Sequence, residues 1–86
     1  MKVVIVYGRS DCPLSSAAQV LLHKFNVKPV VYDVGLVEKR LEEMQRKSGT
    51  SVTPQIFIGD IHVGGFAELA SLFSANGTLP TLLLSQ

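Results

Sequence analysis

The sequence predicts one α/β domain on a mixed β-sheet, and three features of the residue pattern predict it. A Val/Ile run from Lys2 to Tyr7 is followed by a helical stripe and then by a second β-branched run, Val30 to Val34. Strand, helix, strand in that order gives a parallel pair joined by a right-handed crossover. Further on, Gln55-Ile56-Phe57-Ile58 and Ile61-His62-Val63 flank a Gly59-Asp60 turn, the pattern of an antiparallel hairpin. The 86 residues, 47% of them apolar, suffice for a single core over residues 1–86 without disulfide or metal staples.

Each element has its own reason. The first apolar run is continuous rather than alternating, which suits a strand buried on both faces. Tyr7 to Asp11 is a polar loop containing Gly8. Leu14, Ala18, Leu21, Leu22 and Phe25 then recur at helical spacing and line one stripe, so a helix runs from Cys12-Pro13 to about Phe25. Pro13 sits in its first turn, where a missing N–H costs nothing. Asn26 to Pro29 stops that helix, and Val30, Val31, Tyr32 and Val34 form the next strand. Gly35 opens a turn into a second helix, Leu36 to Lys47, with Val37, Leu41 and Met44 on its buried side and a charged wet side from Glu38 to Arg46. Ser48-Gly49-Thr50-Ser51 ends it as a glycine C-cap followed by a loop. After the hairpin, Gly64-Gly65 leads into a third helical stripe, Phe66, Leu69, Ala70, Leu72 and Phe73, closed by Asn76-Gly77. The tail Thr78 to Gln86 carries Leu79, Leu82, Leu83 and Leu84 and is expected to pack, as a final helical turn after Pro80.

Composition narrows the function. A formal charge of +1 with mixed signs provides no basic field, so no nucleic-acid partner is expected. The apolar runs are a few residues long and the N-terminus has no signal-peptide pattern, which predicts no membrane span and a place in the reducing cytoplasm. One cysteine excludes an intrachain disulfide and a four-cysteine metal site within one chain. His23 and His62 have no paired ligand at useful spacing, so no metal site is assigned. Any disulfide must be made with another molecule.

That cysteine, Cys12, is the nucleophile candidate. It lies between the first strand and the first helix, where free backbone N–H groups and the positive end of the helix dipole favour a thiolate over a thiol. An inert buried thiol is the common fate of a free cysteine, but the strand-to-helix position and the following proline favour reactivity.

Three segments together, Tyr7-Gly8-Arg9-Ser10-Asp11-Cys12-Pro13-Leu14-Ser15, Val52-Thr53-Pro54-Gln55-Ile56-Phe57-Ile58-Gly59 and His62-Val63-Gly64-Gly65-Phe66, resemble the glutaredoxins of the thioredoxin-fold family. The similarity covers nearly the whole chain. It implies a thioredoxin-like α/β fold with a four-stranded mixed sheet and helices on both faces. It further implies a cis Pro54 facing Cys12, with the backbone of Thr53 exposed to pair with an extended peptide ligand as an added strand would. Glutathione is that ligand in the family. The resemblance puts its γ-glutamyl carboxylate on the backbone amides of Gly65, Phe66 and Ala67, as helix N-termini hold anions. Its glycyl carboxylate falls to Arg9, the basic residue three before the cysteine.

The sequence also departs from the family pattern. Ser15 replaces the second cysteine of Cys-Pro-x-Cys, so the reaction implied is a monothiol one. Leu14 replaces an aromatic residue and reshapes the ligand wall. Thr53 stands where Val is common, which moves a hydroxyl by one position, and Glu68 stands where an Asp commonly assists ligand binding. Leu41 occupies a place where a polar ligand-binding side chain is often found. The resemblance implies a glutathione-dependent thiol-disulfide oxidoreductase with Cys12 as catalytic nucleophile and glutathione as co-substrate, no cofactor being tightly bound. Its partners would be glutathione and glutathionylated proteins or small disulfides, and the chain is expected to act as a monomer. An iron-sulfur cluster carrier, in which two chains each give Cys12 and two glutathiones complete the ligand set, ranks second because the Cys-Gly-Phe-Ser motif usual in monothiol members is absent. A noncatalytic thioredoxin-fold binding module is the third reading.

Overall fold

The computed structural model describes residues 2–74. Seven elements follow in order: β1 (Val4–Gly8), α1 (Pro13–Lys24), β2 (Val30–Asp33), α2 (Glu38–Ser48), β3 (Gln55–Ile58), β4 (Ile61–Gly64) and α3 (Phe66–Ser74). The Asn76-Gly77 stop and the apolar tail lie outside the described residues.

The four strands form one mixed sheet in the order β2-β1-β3-β4. β1 pairs parallel with β2 and antiparallel with β3, and β3 pairs antiparallel with β4 across the Gly59-Asp60 turn, where Gly59 takes a φ of 59°. Strand alternation then sorts side chains onto two faces. Val4, Val6, Ile56 and Ile58 point to one face and meet Ala18 and Leu22 of α1 and Leu69 and Phe73 of α3. Ile5, Tyr7 and Phe57 point to the other and meet Leu41 and Met44 of α2. The helices therefore cover both faces of a thioredoxin-like sheet.

Two helix ends show local sequence at work. Asn26 takes a φ of 61° after α1, with the Asn26 amide donating to the His23 carbonyl and the Val27 amide to the Leu22 carbonyl, both at 2.9 Å. This is the Schellman arrangement, and its hydrophobic partners Val27 and Leu22 both sit in the core. Gly49, at a φ of 79°, ends α2 by donating its amide to the Gln45 carbonyl at 2.8 Å.

The α2 face is built on aromatic rings. Tyr32, Tyr7, Phe57 and His62 follow one another across the sheet with centroids 5.6, 5.7 and 4.8 Å apart. Cations from α2 lie over them, with the Arg40 guanidinium 3.7 Å from the Tyr32 centroid and the Lys47 ammonium 4.6 Å from that of Phe57. The buried Tyr7 hydroxyl donates to Glu43, which Arg40 also bridges at 3.2 Å. Burial first, then this bond, raises the Tyr7 pKa, and the same bond lowers that of Glu43.

Two expectations change. Leu14 lies off the buried stripe of α1, 51% exposed, and Ser15 is buried in the first turn instead. The stripe runs Ser15, Ala18, Leu22, with Ser15 packed directly on Gly8 at the end of β1. Val37 is the exposed N-cap of α2 rather than a core residue, since the turn from Asp33 carries it away from the sheet. Val30 and Val31 are exposed, because β2 is an edge strand.

Candidate active site

The site gathers at the ends of β1 and β3 and the heads of α1 and α3. After Gly8 the chain turns, the Cys12 amide donating to the Arg9 carbonyl at 3.1 Å, and α1 starts at Pro13. Cys12 is its N-cap residue, extended at φ −105° and ψ 110°. The sulfur thus stands at the mouth of α1. Gly8 permits the close approach of that first turn, because a Cβ on it would lie 2.8 Å from both Cβ and Oγ of Ser15. Ser15, 1% exposed, accepts a hydrogen bond at Oγ from the Arg9 amide at 3.2 Å.

Facing the sulfur is the Thr53-Pro54 turn, whose peptide bond is cis. As a thiol, Cys12 donates to the Thr53 carbonyl over 3.7 Å. Buried Gln55 then fixes the chain beyond the turn. Its amide nitrogen donates to the Val52 carbonyl at 2.9 Å, and its Oε1 accepts from His62 Nε2 at 2.6 Å.

The head of α3 adjoins the same turn, since a Cβ on Gly65 would lie 3.4 Å from the Pro54 carbonyl. Here the structure changes one expected role. The Gly65 amide already donates to Glu68 Oε1 at 2.7 Å, so this chain's own carboxylate takes the first of the three amides assigned to a ligand. Glu68 folds back over the Gly64-Gly65 turn because Gly64, at φ 119°, has no side chain to exclude it. Phe66 and Ala67 occupy the first two positions of α3, where amides have no intrahelical carbonyl to bond.

Arg9 sits on the opposite flank. Its Nη1 lies 3.5 Å from the position a Cβ on Gly35 would take, and Arg9, Ser10 and Asp11 line a cavity of about 280 Å³ with Asp33, Gly35 and Leu36. Leu14 is exposed beside the sulfur in sequence. Cys12, Thr53, Pro54, Gly65 and Glu68 therefore form a continuous line of contacts, and Arg9 bounds the cavity on the β2–α2 side. Leu41 is half-buried against the α2 core, and Arg40, the nearest cation to it in sequence, is held by Tyr32 and Glu43.

The thiol's pKa is lowered to about 7 from an ordinary 9.0. The largest cause is a hydrogen bond from the Ser15 side chain, followed by one from the Thr53 side chain, and the Ser15 and Leu14 amides add to them against the cost of burial. Those side-chain hydroxyls are what the sequence pattern did not disclose. The signal for Ser15 was its place three residues after the N-cap, from which a side chain reaches back to the helix start.

This shift has a consequence for stability. Between pH 7 and 9 the unfolded chain keeps the Cys12 proton and the folded chain has lost it, so folding releases a proton and stability rises with pH. The contribution is complete above the unfolded pKa and is lost as pH falls through about 7. Urea denaturation of the native chain and Cys12→Ala across this range should show their midpoints diverging towards alkaline pH. A constant difference would contradict it.

Comparison with known proteins gives a consistent result. The glutaredoxin family model matches residues 4–63. A glutaredoxin of Neisseria meningitidis serogroup A is 38% identical over 78 residues, covering 90% of this chain and 92% of that protein. The solution structure of a glutaredoxin from Brucella melitensis, 37% identical, superposes with a TM-score of 0.74 over 88% of this chain and 83% of its own. A buckwheat glutaredoxin-glutathione complex, at 17% identity, shares the fold with a TM-score of 0.79 over 96% of this chain and 77% of its own.

Proposed function

Because this chain belongs to the glutaredoxin family of thiol-disulfide oxidoreductases, we propose that it reduces glutathione mixed disulfides with glutathione by a monothiol mechanism in the cytoplasm. The observation that carries this reading is a sulfur whose pKa is lowered to about 7 at a helix mouth, 3.7 Å from the carbonyl of a cis-proline turn.

The reaction balances with one protein sulfur. The Cys12 thiolate attacks the glutathionyl sulfur of a mixed disulfide, a Cys12-glutathione bond forms, and the substrate thiolate leaves with the electron pair of the broken bond and takes up a proton. A second glutathione, as thiolate, then attacks the glutathionyl sulfur. Oxidised glutathione departs, and Cys12 recovers its electron pair as thiolate. The lowered pKa serves both steps, supplying thiolate to attack and a good leaving group to expel. Ser15 has no sulfur with which to resolve the intermediate from within the chain.

Glutathione would lie along the Thr53-Pro54 turn. Ionisation of Cys12 ends its donation to the Thr53 carbonyl, which frees that carbonyl to pair with the tripeptide backbone. The amides of Phe66 and Ala67 would take the γ-glutamyl carboxylate, with Gly65 and Glu68 shaping the turn beside them. Arg9 would meet the glycyl carboxylate, and Leu14 would form part of the wall. Glutathionylated proteins and small disulfides are the substrates of this reading, and a monomer suffices for it.

Mass spectrometry after incubation with oxidised glutathione tests the first half, and reduction of a glutathionylated peptide by glutathione tests the whole. A single glutathione added to the chain, together with catalysed reduction, is the expected result. A chain that takes no adduct, or takes one and does not turn over, would reject the proposal.

A further inference from the structure

Among the described residues two polar side chains are buried, Ser15 and Gln55, and Gln55 stands directly after Pro54 as the first residue of β3. Both ends of its carboxamide are engaged. Nε2 donates to the Val52 carbonyl at 2.9 Å, and Oε1 lies 2.6 Å from His62 Nε2. Only the NH2 end of an amide can pair with a carbonyl, so Oε1 faces the imidazole, and since that oxygen only accepts, His62 Nε2 carries the hydrogen. Strand geometry brings the ring there. His62 is the β4 partner of Phe57, and Gln55, two residues before Phe57 on β3, shares its face of the sheet. The imidazole stacks on the Phe57 ring with centroids 4.8 Å apart, which fixes its plane. Disulfide exchange at Cys12 employs neither side chain.

The bond to Val52 acts on the peptide that follows it. Val52-Thr53 is trans, the cis bond being Thr53-Pro54, and in a rigid trans peptide the C=O and N–H point in opposite directions. Drawing the Val52 carbonyl towards buried Gln55 therefore turns the Thr53 N–H away from the interior. We propose that Gln55, oriented by His62, is a positioning residue that holds the Val52-Thr53 peptide with the Thr53 N–H facing the bound tripeptide. The role rests on the glutathione reading for its ligand, while the held peptide is a property of the free chain. Gln55 acts through the Thr53 backbone, so it governs affinity for the tripeptide and leaves the reactivity of the sulfur alone.

Three variants separate these effects. Gln55→Met keeps the length of the side chain and removes both hydrogen bonds; His62→Phe keeps the stack on Phe57 without a donor, and His62→Gln restores one. Four readouts are needed: binding of S-methylglutathione, which cannot react with Cys12; KM and kcat on a glutathionylated peptide; alkylation by iodoacetamide; and 15N relaxation of the Thr53 amide. Gln55→Met should weaken S-methylglutathione binding and raise KM by roughly three- to tenfold, with kcat and the alkylation rate unchanged. Its Thr53 order parameter should fall from about 0.85 towards 0.6. His62→Phe should shift the same quantities less, and His62→Gln should return them to native values. A folded Gln55→Met with native affinity and native order would overturn the role, as would a parallel loss of binding, kcat and alkylation. Should Gln55→Met misfold by circular dichroism, the His62 pair decides, and equal values for Phe and Gln would overturn it. A native chain that neither binds S-methylglutathione nor reduces the peptide would sink the glutathione reading. The Thr53 order parameter would then decide the positioning of the peptide on its own.

Discussion

Cys12→Ser is expected to bring glutathione-dependent reduction of a glutathionylated peptide down to the uncatalysed rate while leaving the fold intact. The chemical reason is that both steps pass through a disulfide at residue 12, and an oxygen can form no such bond. An alcohol is also far less ionised than a thiol brought to a pKa of about 7, so the attacking species itself vanishes at neutral pH. The structural reason is that the sulfur lies outside both core clusters. Cys12 is only partly buried, at the mouth of α1. A drop of at least about a thousandfold in kcat/KM with an unchanged circular dichroism spectrum is therefore predicted. Residual turnover within tenfold of the native rate would mean that the chemistry lies elsewhere.

Phe57→Ala should be the most damaging single change to stability, costing about 3–5 kcal/mol. Phe57 is 2% exposed and lies in β3, directly between β1 and β4. Its ring is edge-on to Tyr7, stacked with His62 and covered by the Lys47 ammonium. Among the described residues only α2 covers this face of the sheet, so the smaller core cluster has few side chains to move into a cavity. Domains of this size have about 4–13 kcal/mol of total stability, and the loss is a large share of it. The effect extends to the site, because Phe57 anchors the strand that begins just after Pro54. Chemical denaturation of the variant checks the figure, and a loss under about 1 kcal/mol would show that the ring is not packed as described.

The residue pattern made the architecture legible because each element carried its own local signal. The Val/Ile run of β1, the Pro13 start and Asn26 stop of α1, Gly49 after α2 and the Gly59-Asp60 turn are all governed by neighbouring residues. Periodicity read less well where an element meets solvent. Leu14 and Val37 fit helical stripes by spacing yet lie outside the core, since spacing gives a phase but not the point at which the helix leaves the sheet. Val30 and Val31 lie in a strand as their β-branched type predicts, and their exposure follows from β2 being an edge.

The sequence by itself determined the nucleophile candidate and the limits on its chemistry. One cysteine just ahead of a helix-starting proline requires any disulfide to be made with a partner, whatever the fold. Only the tertiary structure decided what surrounds that sulfur. Thr53 is 41 positions from Cys12 along the chain, and the carbonyl contact at 3.7 Å exists because β1 and β3 pair and carry both residues to one end of the sheet. The inward turn of Ser15 needs β1 to ground the first turn of α1 at Gly8. The pKa of a thiol follows from the donors within hydrogen-bonding reach, and residues distant along the chain come within that reach only through folding.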